Sequence, residues 1–149
     1  MTKIYNMTIN QGLKEKNRLA GKLKVLDAKI QKSTSWIRSN QPAYDLNTLL
    51  GERHKMVGQL VTLKGKLSTA TQPVFHVILE MAEQKAYIQL IRGLELTTGL
   101  KENLYGNQAP VEYQSAMTEE ARDGLIENAE NHIAALQDQL DKFNATTEI

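Results

Sequence analysis

Apolar residues recur every three or four positions along most of this chain, which is the spacing of amphipathic helices. The first helix is predicted to begin at Thr8, because Thr8 and Gln11 have the spacing of a capping box. The polar run at 33–35 weakens this helix and Asn40-Gln41-Pro42 breaks it. Its apolar seam consists of Leu19, Leu23, Leu26 and Ile30.

A second helix is predicted after Asp45, which is a favourable N-cap residue. Its apolar positions repeat by three and four residues, close to a heptad seam that Arg53 interrupts. Gly51, Gly58 and Gly65 recur every seven residues along another stripe. This stripe predicts the close approach of a neighbouring helix, unless the spacing is a coincidence. The seam consists of Leu46, Leu49, Met56, Leu60, Leu63 and Leu67.

The polar stretch at 68–73 is predicted to separate the second helix from a third one, which runs from about Val74 to about Leu96. The apolar face of this third helix is wide, so we expect it to be the most deeply buried helix. Thr97-Thr98-Gly99 weakens it, and Tyr105-Gly106-Asn107 ends it.

Residues 110–115 alternate between apolar and polar side chains and are predicted to be extended. A fourth helix then begins at Thr118, with two acidic residues in its first turn, where the helix dipole favours negative charge. The polar segment 144–149 follows this helix. Its seam is the most regular in the chain and consists of Ile126, Ala129, Ile133, Leu136, Leu140 and Phe143.

Together these patterns predict an all-α protein with a single domain over residues 1–149. We expect about four amphipathic helices in an antiparallel helical bundle or coiled-coil arrangement, with a short extended segment before the last helix. Seams of this kind require partner helices. A seam that is not covered within the chain therefore favours a homo-oligomer.

Composition limits the compartment and the chemistry. The chain has 149 residues and no cysteine, which excludes disulfides and thiolate metal sites. No apolar run has the length of a membrane span, and the first ten residues do not resemble a signal peptide. We therefore expect a cytoplasmic protein without a membrane partner.

Charge is distributed unevenly along the chain. Residues 1–66 hold 13 Lys/Arg and 4 Asp/Glu, whereas residues 67–149 hold 5 and 13, so the two halves carry +9 and −8. We favour the interpretation that the basic half packs beside the acidic half, within one chain or between chains. The alternative is a nucleic acid on the basic face of the first helix. That face lacks interleaved aromatic residues, and we do not expect such a partner.

No catalytic or nucleotide-loop motif occurs in the sequence. The histidines are isolated from one another, and two glutamate pairs at a spacing of three lack the histidine of a di-metal helix site. We therefore expect no metal, no cofactor and no enzymatic activity, with a catalytic site of unfamiliar pattern as the alternative. The histidines are His54, His76 and His132, and the glutamate pairs are Glu80/Glu83 and Glu127/Glu130.

Three cationic residues lie on or near predicted apolar faces, where an unpaired charge is costly. Arg53 lies on the seam of the second helix, and Lys85 and Arg92 lie seven residues apart on the third. In one interpretation, each side chain reaches solvent or meets one of the many glutamates. In the other, they contribute to an anion site between helices that would hold a phosphate or a carboxylate.

The segment from Leu136 to Ile149 resembles the ending of a family of small helical bacterial and phage proteins described as septicolysin-like. In that family the segment ends in an Asn-Trp-x-x-Glu-Leu pattern. Asn144 and Glu148 match this pattern, whereas Ala145 stands in place of the tryptophan and Ile149 in place of the leucine. The likeness continues upstream over most of the chain, in the segments Leu13–Ile30, Leu60–Thr71, Leu79–Leu94 and Val111–Ser115.

The resemblance implies that a polar turn with Thr69 and Thr71 could meet a polar ending with Asn144, Thr147 and Glu148 and line a small-molecule pocket. With the three cations, this favours a non-catalytic, oligomeric binding protein for a small anionic, nucleotide-like ligand. A phage protein that sequesters a signalling nucleotide is an analogy of size and type. The alternative is a structural or scaffold coiled-coil protein that assembles with itself or with a partner.

Overall fold

A computed structural model describes residues 6–102 and 109–149, and most of these residues are helical. The predicted helical class is therefore confirmed. The predicted helix end at Tyr105-Gly106-Asn107 lies outside the described residues. The elements, in chain order, are α1 (Ile9–Lys32), α2 (Leu46–Thr71), a 3-10 turn (Gln72–Val74), α3 (Phe75–Arg92), β1 (Gly99–Lys101), β2 (Val111–Tyr113) and α4 (Glu119–Thr146).

The chain divides into two compact units. The first comprises the residues up to Val74 together with Lys142–Ile149, and the second comprises Phe75–Asp141. The first unit therefore contains α1 and α2, and the second contains α3, both strands and most of α4. Within the described residues, no helix combines the length and the apolar character that crossing a membrane requires.

The first turn of α1 is held by the predicted capping box, which is confirmed. The Thr8 hydroxyl accepts a hydrogen bond from the backbone N–H of Gln11 at 3.2 Å, and the Gln11 side chain accepts one from the Thr8 N–H at 2.9 Å. Two N–H groups that have no partner within a helix are thereby satisfied.

The C-terminal segment 147–149 pairs with the residues that lead into α1. The Ile9 N–H donates to the Thr147 carbonyl oxygen at 2.9 Å, and the Ile149 N–H donates to the Met7 carbonyl oxygen at 2.9 Å. These bonds flank an antiparallel bridge between positions 8 and 148. The beginning of α1 is therefore tied to a segment from the other end of the sequence.

Helices α1 and α2 lie antiparallel in the first unit. Gly12 near the start of α1 faces Leu67 near the end of α2, whereas Asp27 near the end of α1 contacts Arg53 in the first half of α2. The predicted seams of both helices are buried or half-buried, as an apolar stripe against a partner helix requires. The fully buried seam residues are Leu19, Leu26, Leu49, Leu60 and Leu67.

The predicted separation of α2 from α3 falls at the end of the polar stretch 68–73, later than the start of that stretch indicated. Helix α2 continues to Thr71, and the threonine hydroxyls in this extension donate to carbonyl groups one turn earlier. Thr69 bonds to the Gly65 oxygen at 3.1 Å and Thr71 to the Leu67 oxygen at 2.7 Å. Only the 3-10 turn that contains Pro73 separates α2 from α3, since proline lacks the N–H that the helix needs.

The glycine stripe of α2 faces open space. A Cβ added at Gly51, Gly58 or Gly65 would meet no atom within 4 Å. The predicted close approach of a helix along this stripe is therefore wrong for the part of the chain that the structure describes.

Helix α3 is less buried than its wide apolar face predicted. It buries a single stripe of Val77, Met81, Ile88 and Ile91, whereas other apolar residues such as Leu90 are exposed. With four buried residues among 18, α3 still has the largest buried share of the four helices, as expected, but it buries a stripe and not a wide face. The helix also ends at Arg92 instead of near position 96.

The two strands form an antiparallel hairpin in which Leu100 lies opposite Glu112. The extended segment predicted near 111 is confirmed, whereas its pairing with 99–101 was not predicted. Gly99 has a φ of 81°, which glycine adopts without strain. All six strand residues are exposed.

Helix α4 begins after Thr118, as predicted. The Thr118 hydroxyl accepts a hydrogen bond from the Ala121 N–H at 3.1 Å. The seam predicted from Ile126 to Phe143 is buried or half-buried throughout, and this prediction is confirmed. The helix continues to Thr146, whose hydroxyl donates to the Lys142 oxygen at 2.8 Å.

Candidate functional site

The first unit contains an open groove between α1 and α2, which we call groove A. Its volume is about 560 Å³, within the usual range for small-molecule sites. Both faces of the groove carry polar groups, and Arg18 and Lys66 supply positive charge. The lining residues are Glu15, Arg18, Leu19, Gly58, Gln59, Thr62, Leu63 and Lys66.

One of the two cations of groove A is already paired. The Arg18 guanidinium donates two hydrogen bonds to the Glu15 carboxylate one turn earlier, the Nε–Oε2 bond measuring 2.7 Å. This contact lowers the pKa of Glu15 and raises the pKa of Arg18, so the pair stays ionised. Among the described residues, no carboxylate lies within 4.0 Å of the Lys66 ammonium.

A second groove, groove B, lies between the end of α2 and the C-terminal segment. It has a volume of about 460 Å³ and is lined by Gly65, Lys66, Thr69, Ala70, Glu148 and Ile149. Two of the predicted site residues, Thr69 and Glu148, therefore line one cavity. The Thr69 hydroxyl donates to the Gly65 carbonyl, so its oxygen remains able to accept a hydrogen bond.

Lys66 lines both grooves, and one glycine of the α2 stripe lines each of them. Gly58 belongs to groove A and Gly65 to groove B. Because a Cβ at either position would meet nothing within 4 Å, the missing side chains leave the groove walls open. Gly58 and Gly65 therefore lie beside open grooves and, within the described residues, not at a contact with another helix.

Arg53 is engaged within the first unit. Its Nε donates to the Asp27 carboxylate at 2.6 Å, and both side chains are roughly two-fifths exposed. The interpretation that this cation meets an acidic residue fits the geometry, with an aspartate as the partner.

In the second unit, Arg92 donates to Glu130 at 3.0 Å, whereas Lys85 is exposed. His132 lies 2.8 Å from Glu80 beside a small groove of about 280 Å³. The sequence analysis did not predict this contact, because His132 and Glu80 are far apart along the chain. The groove is lined by Gln84, Tyr87, Leu125, Asn128, Ala129 and His132.

The remaining predicted site residues lie in the first unit. The Thr71 hydroxyl donates to the backbone of α2 and is half-buried. Thr147 is half-buried and its carbonyl accepts the Ile9 N–H. Asn144 carries a buried Oδ1 atom without a hydrogen-bond partner among the described residues, which is rare in folded proteins.

Sequence reasoning missed Arg18, Gln59, Thr62 and Lys66, which line groove A. The signal available for Lys66 was its position next to Gly65 in the glycine stripe. In the parts of the chain that the structure describes, no group of three or more His, Asp or Glu side chains could hold a metal ion.

Comparison with known proteins finds a similar fold but gives no function. The chain is similar to the crystal structure of a functionally unknown conserved protein from Corynebacterium diphtheriae, with a TM-score of 0.61 and 11% sequence identity. The alignment covers 97% of this chain and 99% of that chain. No family model and no curated protein matches the sequence. The septicolysin-like resemblance therefore stays a prediction.

Proposed function

We propose that this protein is a non-catalytic, oligomeric binding protein that holds a small anionic ligand in the first unit. The observation that carries the proposal is the position of Lys66. Its ammonium group has no carboxylate partner among the described residues, and its side chain lines both groove A and groove B. A lysine in this situation is a point charge available to a phosphate or a carboxylate.

The charge of the surrounding unit supports an anionic ligand. The first unit holds 14 Lys/Arg and 5 Asp/Glu, which gives it a charge of +9. Such a field raises the local concentration of anions around a cleft. Gln59 and Thr62 in groove A, and Thr69 in groove B, add neutral hydrogen-bonding groups. Phosphate, sugar and base of a nucleotide-like molecule would find complementary groups there, and sequestration of such a molecule is the role we favour.

Self-association belongs to the same proposal. The second unit holds 4 Lys/Arg and 12 Asp/Glu, a charge of −8, so opposite charges are available for contacts between copies. Large apolar residues are exposed in both units, among them Ile37 in the first and Leu100 in the second. We propose that such apolar surfaces pack between copies of an antiparallel helical bundle. The proposed location is the cytoplasm.

Filling the grooves tests the ligand without removing any polar group. Gly58→Met and Gly65→Met place a side chain into groove A and groove B, where the structure has open space. Gly51→Met is the matched control, because it lies on the same stripe seven residues earlier and lines neither groove. All three changes should stabilise α2, since glycine is a poor helix former.

The readout is the thermal stabilisation produced by a panel of nucleotides and by inorganic phosphate. A bound ligand at a hundred times its dissociation constant adds about 2.7 kcal/mol to the free energy of unfolding. We expect this gain in the wild type and in Gly51→Met, and its loss in Gly58→Met, Gly65→Met or both. Recovery of the ligand unchanged would support binding without catalysis. Equal gains in all variants would contradict a ligand in either groove.

A scaffold protein is the second candidate, and the exposed apolar residues favour it. In that case the grooves have no ligand and the exposed faces assemble copies or bind a partner. Thr69, Thr71, Asn144 and Glu148 could then each be changed to alanine with no effect on any ligand response. Where these side chains are exposed, the free energy of unfolding should change by less than about 0.5 kcal/mol.

A further inference from the structure

The residues between α1 and α2, together with the last turn of α1, form a surface that is both cationic and aromatic. We call residues 28–44 the basic segment. It contains Lys29, Lys32 and Arg38 and no acidic residue. Among the described residues, none of these cations has a carboxylate within 4.0 Å. The Lys29 ammonium lies 5.1 Å from the centre of the Tyr44 ring.

The acidic residues that border the basic segment are already engaged. Asp27 accepts a hydrogen bond from Arg53, and Asp45 caps α2 by accepting bonds from the backbone and hydroxyl of Thr48. The charge of Asp27 is matched by Arg53, whereas Asp45 keeps its negative charge. The three cations of the segment therefore outweigh the one remaining carboxylate at its border, and the surface has a net positive charge.

The same segment exposes large apolar side chains. Trp36 is 57% exposed and Ile37 is 70% exposed. They are adjacent in sequence and are followed directly by Arg38. Apolar residues of this size, surrounded by charge, are typical of a surface that a partner covers.

The second unit offers the complementary surface. Its charge is −8. One face of its β hairpin exposes Leu100 beside Glu112, whereas Lys101, Val111 and Tyr113 lie on the other face. A two-stranded hairpin exposed on both faces is marginally stable by itself, so a partner that covers it would stabilise it. The chain thus carries an apolar basic surface in one unit and, on the Leu100–Glu112 face of the hairpin, an apolar acidic surface in the other.

We propose that the basic segment of one copy docks on the β hairpin of the acidic unit of a second copy. This inference rests on the self-association in the proposed function and names its interface. Because two different surfaces meet, the contact is heterologous, and repeated contacts would close a ring or extend a chain of copies.

Trp36 is the only tryptophan of the protein, so its fluorescence reports on the basic segment directly. With rising protein concentration, docking moves Trp36 out of water, and its emission is expected to shift to shorter wavelength. Light scattering on the same samples reports the mass of the assembly. Added salt should move both transitions to higher protein concentration, because the charges are screened.

Two double variants remove one surface each and leave Trp36 in place. Ile37→Ser with Arg38→Glu changes the basic segment, and its control is Val61→Ser with Lys64→Glu, an exposed pair on α2 with the same charge change. Leu100→Ser with Glu112→Lys changes one face of the hairpin. Its control, with the same changes on the exposed face of α3, is Leu79→Ser with Glu83→Lys.

Each surface variant is expected to raise the concentration of half-association by roughly tenfold or more, while each control stays near the wild type. A mixture of the two surface variants should form pairs and stop there. The intact segment of one variant docks on the intact hairpin of the other, and no further contact is possible.

Three results would overturn the inference. If the protein associates while the Trp36 emission stays unchanged, the interface lies elsewhere and the proposed self-association stands. If it remains monomeric up to its solubility limit, both statements are wrong. If the emission shifts only with vesicles of anionic phospholipid, the basic segment binds a lipid surface instead of a second copy.

Discussion

The backbone N–H of Ile149 donates a 2.9 Å hydrogen bond to the carbonyl oxygen of Met7. This bond holds the C-terminal segment beside the beginning of α1, and the side chain of Ile149 then forms part of the wall of groove B. Groove B therefore exists only while this segment is paired. A change that loosens the pairing should weaken a ligand in groove B as well as the first turn of α1.

Gly12 is a crowded position in this arrangement. A Cβ there would lie 2.8 Å from Ile149 Cδ1 and 2.9 Å from Leu67 Cδ2. We expect Gly12→Ala to lower the free energy of unfolding by about 1 kcal/mol, because both side chains must move. Gly21→Ala, in the open middle of α1, should raise it by up to about 1 kcal/mol. Chemical denaturation measures both, and a Gly12→Ala variant as stable as Gly21→Ala would contradict this packing.

The N-cap residue Asp45 is expected to make the stability of the protein depend on pH, through its contacts at the start of α2. Hydrogen bonds from the Thr48 hydroxyl and backbone N–H lower the pKa of the Asp45 carboxyl. Its contribution to stability is therefore fully present above the pKa of an unfolded aspartate, about 3.9, and is lost as pH falls through the lower pKa of the folded state. Asp45→Asn keeps a capping group that does not titrate.

Thermal melts between neutral and strongly acidic pH compare the wild type with Asp45→Asn. The difference in stability between them should change in this acidic range, as the wild type loses its charged cap. A difference that is constant with pH would show that the charge of Asp45 does not stabilise α2.

Substitutions of Asn144 test whether its buried side-chain oxygen, which has no hydrogen-bond partner in the part of the chain that the structure describes, has a structural role. Its Oδ1 atom is buried without a partner among the described residues. Replacing such a group by an apolar one of similar shape is close to neutral or stabilising. We therefore expect Asn144→Leu to keep or raise the melting temperature, and Asn144→Asp to lower it because a charge would be buried there. A loss of more than about 1 kcal/mol in Asn144→Leu would mean that the amide has a partner.

Arg92 and Glu130 form an ion pair in which each side chain is 53% exposed. Exposed pairs of this kind contribute between about 0 and 1 kcal/mol. Arg92→Gln should therefore change the free energy of unfolding by less than about 1 kcal/mol and leave the ligand response in the first unit unchanged. Loss of that response in Arg92→Gln would restore Arg92 to the candidate site.

Local features of the fold could be predicted from the sequence, because their causes lie within a few residues. The pairing of Thr8 with Gln11 and the seam of α4 depend on spacing alone. The continuation of α2 through Thr71 was missed because serine and threonine have only modest helix propensity and often occur in turns. Here the Thr71 hydroxyl is satisfied by a carbonyl one turn earlier in the same helix.

Features that join distant parts of the sequence could not be predicted. Nothing near Thr8 indicates that it pairs with Glu148, and nothing near Gly99 indicates that it lies opposite Tyr113. The residues of the candidate site are also far apart in sequence, so they were only partly predicted. Thr69 and Glu148 were expected to meet and do line one groove. The role proposed for Lys66 depends on the open space around the glycine stripe, which only the structure describes.

Native mass spectrometry after incubation with a panel of nucleotides tests the central proposal most directly, since it counts subunits and retained ligand in one spectrum. Lys66→Gln removes the charge shared by the two grooves. Lys64→Gln makes the same change on α2 at a position that lines neither groove. We predict a discrete oligomer that retains one nucleotide mass per subunit in the wild type and in Lys64→Gln, and loses it in Lys66→Gln. A bare oligomer with every nucleotide, or equal retention by Lys66→Gln, would contradict the proposed function.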